Sequence, residues 1–479
     1  METYKIAENK MFHAAGREFI FLAGDNTIFE IDDRIKGLLT KCGIEEEFTR
    51  EEAVPRLSGP PEDKEDLFED LIKSRALVPS KGTGGVKRID FEKLSIELKT
   101  LVLHVTDACN LGCRYCYYGN GEQAASTKEK MSPEVAARAV DFLMENSGAL
   151  KEVIIVFFGG EPLLNLDLIR FVVEYARNKA TERTIRVDFA MTTNGTLLND
   201  KTIDLLRENH IGVTISIDGF ETAHDRFRRF PNGAPSYGVI LPGLKKLLAD
   251  KGEKPVVARV TVAGESNHIP EILDHLLSLG FSEAGFAPVT TGDLSYQLSR
   301  GEMAQLLAHF KTLSETFITH AKKDEFYGFT NLIDNLVVLH EGERKDYPCG
   351  AGMGLFSVDP KGHLYLCQRL TGEASSRMGD VFNGFDRAAL TRFRQQAFIE
   401  EKKPCAACWV RKICAGGCYH EALVREGGLL KPNLHYCQWI QDWIELGLSV
   451  YGELAVECPD YLEKLSMLRG HAPLFNHSI

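Results

Sequence analysis

The chain has 479 residues, 44% of them apolar, and a net charge of −12. That length suits about three domains, and the apolar content is ample for packed cores, which excludes disorder as the overall state. The acidic balance disfavours a nucleic-acid partner, and the longest apolar run, Val153–Phe158, is far short of the roughly 20 residues of a membrane span. The opening METYKIAENK carries no secretory pattern, so the expected compartment is the cytoplasm.

Residues 1–80 read as a small independent unit. Arg17–Ala23 and Thr27–Ile31 flank Gly24-Asp25-Asn26, a hairpin signal. Helical stretches follow near Asp32–Leu39, Thr49–Leu57 and, after the break at Ser58–Pro61, Glu62–Lys73. A hairpin with three short helices suits a winged-helix-like module. Residues 81–98 read as a linker, flexible around Pro79–Gly85.

From 99 to 325 strands and helices alternate. The expected strands are Leu101–Thr106, Val153–Phe158, Ile185–Met191, Val213–Ile217, Val256–Val262 and Glu283–Ala287. Ser132 before Pro133 reads as a helix N-cap with proline at the first helical position. Six βα units predict an α/β fold built on a partial (β/α)6 TIM-like barrel, with the site at the strands' C-terminal ends. Residues 326–346 then bridge to a Cys-rich segment at 347–440. The remainder, 441–479, is a helix (Gln438–Leu454 in the pattern) and tail.

The twelve cysteines are unevenly placed. Clustered cysteines in a cytosolic chain point to metal or cluster ligation rather than disulfides. Cys109, Cys113 and Cys116 follow the first barrel strand with C-x3-C-x2-C spacing. Three thiolates on one loop can hold three irons of a [4Fe–4S] cube, leaving the fourth open to a chelating small molecule. A zinc loop, which wants four ligands, and a chance group of buried thiols are the alternatives. Seven further cysteines lie at Cys349, Cys367, Cys405, Cys408, Cys414, Cys418 and Cys437, with Gly362 between the first two. Cys42 and Cys458 stand apart as packing or surface thiols, with Cys458 also a possible eighth ligand. Arg259, inside the apolar fifth strand, reads equally as a structural ion pair or a ligand contact, because such a charge is rarely buried without a partner.

The Cys109–Cys116 loop, with aromatic Tyr115 before its last cysteine, resembles the radical SAM superfamily over about 99–290. Phe158-Gly159-Gly160-Glu161-Pro162 resembles its GGEP motif, whose glycines allow close backbone approach to a ligand and whose carboxylate would accept from the ammonium of S-adenosylmethionine (SAM). The resemblance extends to Asn194 after the third strand and to Ser216 and Asp218 after the fourth. It implies a ribose contact for Ser216 and a carboxylate contact for Arg228, with a surface salt bridge the plainer reading of Arg228. Asp218 and His224 are available as bases, and nothing ranks them. The seven later cysteines resemble the SPASM domain. That resemblance implies an outer auxiliary cluster on Cys405, Cys408, Cys414 and Cys437, and an inner one on Cys349, Cys367 and Cys418 with one iron open. SAM and three [4Fe–4S] clusters, one SAM-binding and two auxiliary, are the implied cofactors. A two-zinc module is the alternative.

Residues 1–80 resemble a RiPP recognition element, which implies a peptide or small-protein substrate gripped by β-augmentation near Arg17–Ile31. A stabilising accessory domain is the other reading. Leu101–Cys116, Gly212–Gly219, Gly285–Thr291 and Tyr347–Gly354 resemble the quinohemoprotein amine dehydrogenase maturation proteins, whose related maturases make thioether links in ranthipeptides. That resemblance implies reductive SAM cleavage, hydrogen abstraction by a 5′-deoxyadenosyl radical, and a bond from Cys sulfur to an Asp or Glu side-chain carbon. A flavodoxin- or ferredoxin-type donor would supply the electron. Rival readings are a sulfatase-maturing, formylglycine-forming enzyme, a non-enzymatic iron–sulfur carrier or peptide-binding protein, and a zinc scaffold.

Overall fold

A computed structural model describes residues 2–41, 43, 46–80, 89–118, 129–249, 252–264 and 268–470. Cys42 and residues 81–88 of the expected linker lie outside the described residues.

The N-terminal unit contains β1 (Thr3–Ile6), β2 (Asn9–Ala14), β3 (Arg17–Leu22), β4 (Thr27–Ile31), β5 (Phe48–Thr49) and β6 (Leu77–Pro79). The hairpin read at Gly24–Asn26 is the β3–β4 pair, with Glu18 opposite Ile31. The same sheet gains β2, and a second small sheet runs β5-β1-β6. Neither addition was legible, because these strands are short and only half-buried. Helices Asp33–Lys41 and Pro61–Lys73 fall where the periodicity put them, whereas the middle stretch is a single turn, Arg50–Ala53, followed by a 3-10 turn. Phe68, Leu71, Ile20 and Leu38 close a core separate from the main one.

The unit is docked rather than loosely tethered. Asn26, 1% exposed, donates through Nδ2 to the carbonyls of Glu343 and Lys412 at 2.6 and 3.2 Å. Arg411 pairs with Glu8 at 2.5 Å, and Phe21 packs edge-on against Trp409.

Then come β7 (Thr100–Thr106), β8 (Glu152–Gly159), β9 (Arg186–Thr193), β10 (Gly212–Ser216), β11 (Val256–Val262) and β12 (Glu283–Pro288). They lie in sequence order and pair in parallel, as six βα units require. Ser132 caps its helix by accepting from Val135 N, with Pro133 at the first position.

The sheet does not stop at β7. The Cys-rich segment adds β13 (Leu355–Val358), parallel to β7 with Leu103 opposite Val358, and then antiparallel β14 (His363–Tyr365), β15 (Arg377–Asp380) and β16 (Gly384–Phe385). Among the described residues the whole makes a ten-stranded sheet. Barrel and Cys-rich segment are thereby locked by one hydrogen-bond ladder. The C-terminal helix is longer than its pattern, Leu434–Glu457, and a second helix, Pro459–Gly470, follows. Arg469 ties that helix back to Glu283 and Asp334, each at 2.7 Å. No helix among the described residues is long and apolar enough to cross a membrane.

Candidate active site

The loop after β7 is held by backbone. Asp107 N donates to Glu129 O, Gly112 N to Arg229 O at 2.7 Å and Arg114 N to Phe227 O at 3.1 Å. Beneath it runs the turn after β8. Gly160 N donates to Thr106 O and Glu161 N to Ala108 O, both at 2.9 Å. Gly159 has φ +131°, and a Cβ there would stand 2.2 Å from Thr106 O, while one at Gly160 would stand 2.3 Å from Ala108 O. These glycines therefore let the turn nest against the cysteine loop's own backbone, in addition to lining the cavity above it.

Glu161 departs from its expected role. It is 1% exposed and its carboxylate accepts from Thr193 Oγ1 at 2.7 Å, Asn194 N at 2.7 Å and Leu163 N at 3.1 Å. It braces the end of β9 against the turn after β8 rather than facing the cavity. Burial pushes it up to about 7, against the pull of those hydrogen bonds. Asn194 faces the cavity and steadies the loop, donating to Asn110 Oδ1 at 2.9 Å and lying 3.9 Å from Cys109 Sγ.

Arg228 is neither on the surface nor free. Its Nε donates to Asp218 at 2.9 Å, with the two side chains 9% and 4% exposed. Tyr115 OH also donates to Asp218, and Arg228 lies over the Tyr115 ring. Burial alone would lower the guanidinium's pKa, but Asp218 and its neighbours hold it above its ordinary value. Asp218 is thus the counter-ion of Arg228, not an exposed base. His224 is withdrawn too. Its Nδ1 accepts from Asp218 N at 3.3 Å, Nε2 meets Ser236 Oγ at 2.9 Å, and burial pushes it down to about 4. Tyr115, Ser216 and Arg228 all line the cavity.

That cavity, about 320 Å³, runs along the inward face of the strands. Cys109, Cys113 and Cys116 stand on its wall, and so do Cys349, Cys367 and Cys418. The described cysteines are all free thiols. Their charges act on one another in three groups: Cys109 with Cys113 and Cys116, Cys349 with Cys367 and Cys418, and Cys405 with Cys408, Cys414 and Cys437. Burial pushes Cys109 up to about 11 and Cys113 and Cys367 to about 12, so a thiolate here calls for a cation, and ligation supplies one. Among the described residues no three His, Cys, Asp or Glu side chains converge on a single ion site. A cube takes its thiolates at separate corners. Cys458 sits at the end of the Leu434–Glu457 helix beside Lys322 and Glu457. It is about 30 Å along that helix from Cys437 and does not line the cavity that Cys349, Cys367 and Cys418 open on.

Several wall residues carried no sequence signal. Tyr117 follows the loop's last cysteine and lies with its ring 5.2 Å from that of His420. Arg369 stands two residues after Cys367 on the same wall. Lys402 is buried among the outer cysteines, donating to Gly416 O at 3.0 Å over the Tyr419 ring. Arg259 also faces the cavity, and its side chain has no ion pair among the described residues.

The model of the Radical SAM superfamily matches residues 103–276. An uncharacterized protein of Methanocaldococcus jannaschii is 30% identical over 57% of this chain and 86% of its own length. The chain belongs to the radical SAM superfamily. The serine-type anaerobic sulfatase-maturating enzyme of Klebsiella aerogenes is 26% identical over 66% of this chain and 78% of its own. The radical SAM cyclopropyl synthase TigE of Paramaledivibacter caminithermalis is 24% identical over 73% and 74%. The solved structure of native anSMEcpe with bound AdoMet superposes with a TM-score of 0.63 at 19% identity, covering 77% of this chain and 99% of that one, and supports the fold.

Proposed function

We propose that this protein is a radical SAM maturase that forms a thioether between a substrate Cys sulfur and a side-chain carbon, of an Asp or Glu residue, in a ribosomally made peptide or small protein. One observation carries the reading: the Cys109 loop and the Cys349/Cys367/Cys418 set open on the same cavity. Cys109, Cys113 and Cys116 would hold the SAM-binding [4Fe–4S] cluster. Cys349, Cys367 and Cys418 would hold an inner auxiliary cluster, and Cys405, Cys408, Cys414 and Cys437 an outer one. When bound, these groups supply the electron that cleaves SAM, the hydrogen-abstracting radical that cleavage yields, and a sink for the electron released as the C–S bond forms.

The chain's own residues position and seal. Asn194, Ser216 and Arg228 would hold SAM, with Asp218 and Tyr115 fixing the Arg228 fork for bidentate contact with the methionyl carboxylate. Glu161 keeps Asn194 in place through its main chain. The cavity excludes water from a carbon radical and brings substrate to both thiol sets. Residues 1–80 would bind the substrate's leader segment as a RiPP recognition element, and a flavodoxin- or ferredoxin-type protein would donate the electron.

Formylglycine formation is the second reading, favoured by the Klebsiella relative. Iron and sulfide assays on anaerobically reconstituted protein, then 5′-deoxyadenosine release with dithionite, test the core reading. About twelve irons per chain, with release abolished in the Cys109/Cys113/Cys116→Ala variant, is the expected result for three four-iron clusters. Product mass then separates the two chemistries: a thioether gives a thiol lost to alkylation, whereas formylglycine gives a hydrazide-reactive aldehyde.

A further inference from the structure

The side chains of two arginines on the cavity wall, Arg259 and Arg369, make no ion pair with a described residue. Arg259 comes from β11, between Ser216 on β10 and Gly285 on β12 in register. A methyl at Gly285 would stand 3.4 Å from its Nη1, in ordinary contact. Arg369 comes from the other side, on the turn after β14 and Cys367. Both line the cavity, and neither side chain has a hydrogen bond or ion pair to a described residue. Asp334, the acid that acts on Arg259, is itself engaged by Arg469. Arg369 is acted on most by Cys418, then by Tyr117, Glu421 and Cys367, and Glu421 spends its oxygens on Thr290 and Asn433. Two guanidinium groups close enough to repel one another are costly to bury without an anion. Burial and the Arg369 charge pull Arg259 down to about 10, so it stays charged at neutral pH.

Beside them the wall carries two more unmet polar atoms. Gln368 Oε1 and His420 Nδ1 are buried without hydrogen-bond partners among the described residues, and both residues line the same cavity. An acceptor next to two forked donors matches a peptide: backbone N–H for Gln368, carboxylate for the arginines.

Resting on the maturase reading above, we propose that Arg259 and Arg369 form a two-guanidinium subsite that grips the carboxylate of an acidic residue in the substrate peptide. The subsite selects the acceptor residue, since an amide in the same place would leave both arginines unpaired. Its residues come from the barrel and the Cys-rich segment, so the acceptor is held between the two thiol sets.

The test uses the reconstituted, SAM-loaded enzyme and two probes, acetyl-Gly-Asp-Gly-amide and acetyl-Gly-Asn-Gly-amide, titrated by calorimetry. The wild type should bind the Asp probe at least tenfold more tightly than the Asn probe. Arg259→Gln and Arg369→Gln should each bring that ratio to about one, with iron content and SAM affinity unchanged. Equal binding of both probes by the wild type overturns the proposal. So does a ratio that survives either substitution, or a parallel loss of SAM affinity in Arg259→Gln, which would make the pair part of the SAM site. Should Arg369→Gln lose iron, Arg259→Gln and Arg369→Lys decide instead, the lysine retaining charge without the fork and lowering the ratio. Failure of the parent reading shows separately, as a wild type without clusters or SAM cleavage.

Discussion

Gly160→Ala asks whether the turn after β8 is the foundation of the cysteine loop. The added methyl would stand 2.3 Å from Ala108 O, 2.6 Å from Ala108 C and 2.7 Å from Asp107 O. These lie about an ångström inside the ~3.5 Å of optimal contact, and all three are backbone, so no rotamer relieves them. The turn or the loop must move by about that ångström. Moving either one breaks the Gly160–Thr106 and Glu161–Ala108 bonds. Two buried groups left unsatisfied cost about 1–3 kcal/mol each, so the variant should lose roughly 2–6 kcal/mol. Cys109 directly follows Ala108, so ligand geometry goes with it. Iron content, 5′-deoxyadenosine release and urea unfolding are the assays. The variant should lose iron at the Cys109 loop and unfold at lower urea. Gly238→Ala is the control: it lies in the helix Tyr237–Ala249 with nothing within 4 Å of the added methyl, and should gain up to about 1 kcal/mol. A Gly160→Ala protein with full iron, full SAM cleavage and the wild-type urea midpoint would refute the reasoning.

Asp218→Asn should strand the buried Arg228 charge at a cost of about 3 kcal/mol, and adding Arg228→Met should recover most of it in urea melts. On pH, His104 and His224 are buried and pushed down to about 4 by desolvation. Each therefore contributes stability that is complete above its unfolded value near 6.5 and is lost as pH falls through 4, on the order of 3 kcal/mol apiece. Glu161, raised to about 7, runs the other way: its contribution is complete below its unfolded value near 4.5 and gone once pH rises past 7. Urea midpoints should therefore fall from pH 6.5 to 4, and the fall should steepen in Glu161→Gln once that variant's own offset is subtracted. Arg469→Ala should leave Glu283 and Asp334 unpaired, destabilise the chain by about 3–5 kcal/mol, and speed hydrogen exchange first in the Pro459–Gly470 helix.

Sequence periodicity placed the six parallel strands to within two residues at either end, because a strand buried on both faces is a continuous apolar run. Spacing put Cys109, Cys113 and Cys116 together on one short loop, whereas the division of the seven later cysteines rested on the resemblance and not on their spacing. What stayed hidden depends on contacts distant in sequence. Glu161 looked like a ligand contact because its motif names the residue, and only the fold shows Thr193 and Asn194 filling its oxygens. Asp218 and His224 looked equally available as bases, and both are sealed behind Arg228 and Ser236. Arg369 carried no signal at all, since its meaning comes from Arg259, 110 residues earlier in the numbering. Strand β13 escaped because a four-residue strand gains its identity from pairing with β7, 255 residues before it.

That pairing decides how the cavity can work. Leu355 sits opposite Thr100, and Lys99 N and Thr100 N both donate to Gly354 O at 2.9 Å. The Cys349–Gly354 turn is thus fixed to the opening residues of β7, while the Cys109 loop springs from its end. Seven residues of strand separate those anchor points, about 20 Å at the usual rise. Both are set by a backbone ladder rather than by side-chain packing across a hinge. The N-terminal unit is braced against the same assembly through Asn26, Glu8 and Phe21 at Lys412, Arg411 and Trp409, the last next to Cys408. A segment bound to that unit would therefore report to the Cys-rich wall through a short chain of packed side chains. On the proposed leader-binding role of residues 1–80, the spacing between leader and modified residue in a substrate has to match the distance from that unit to the cavity.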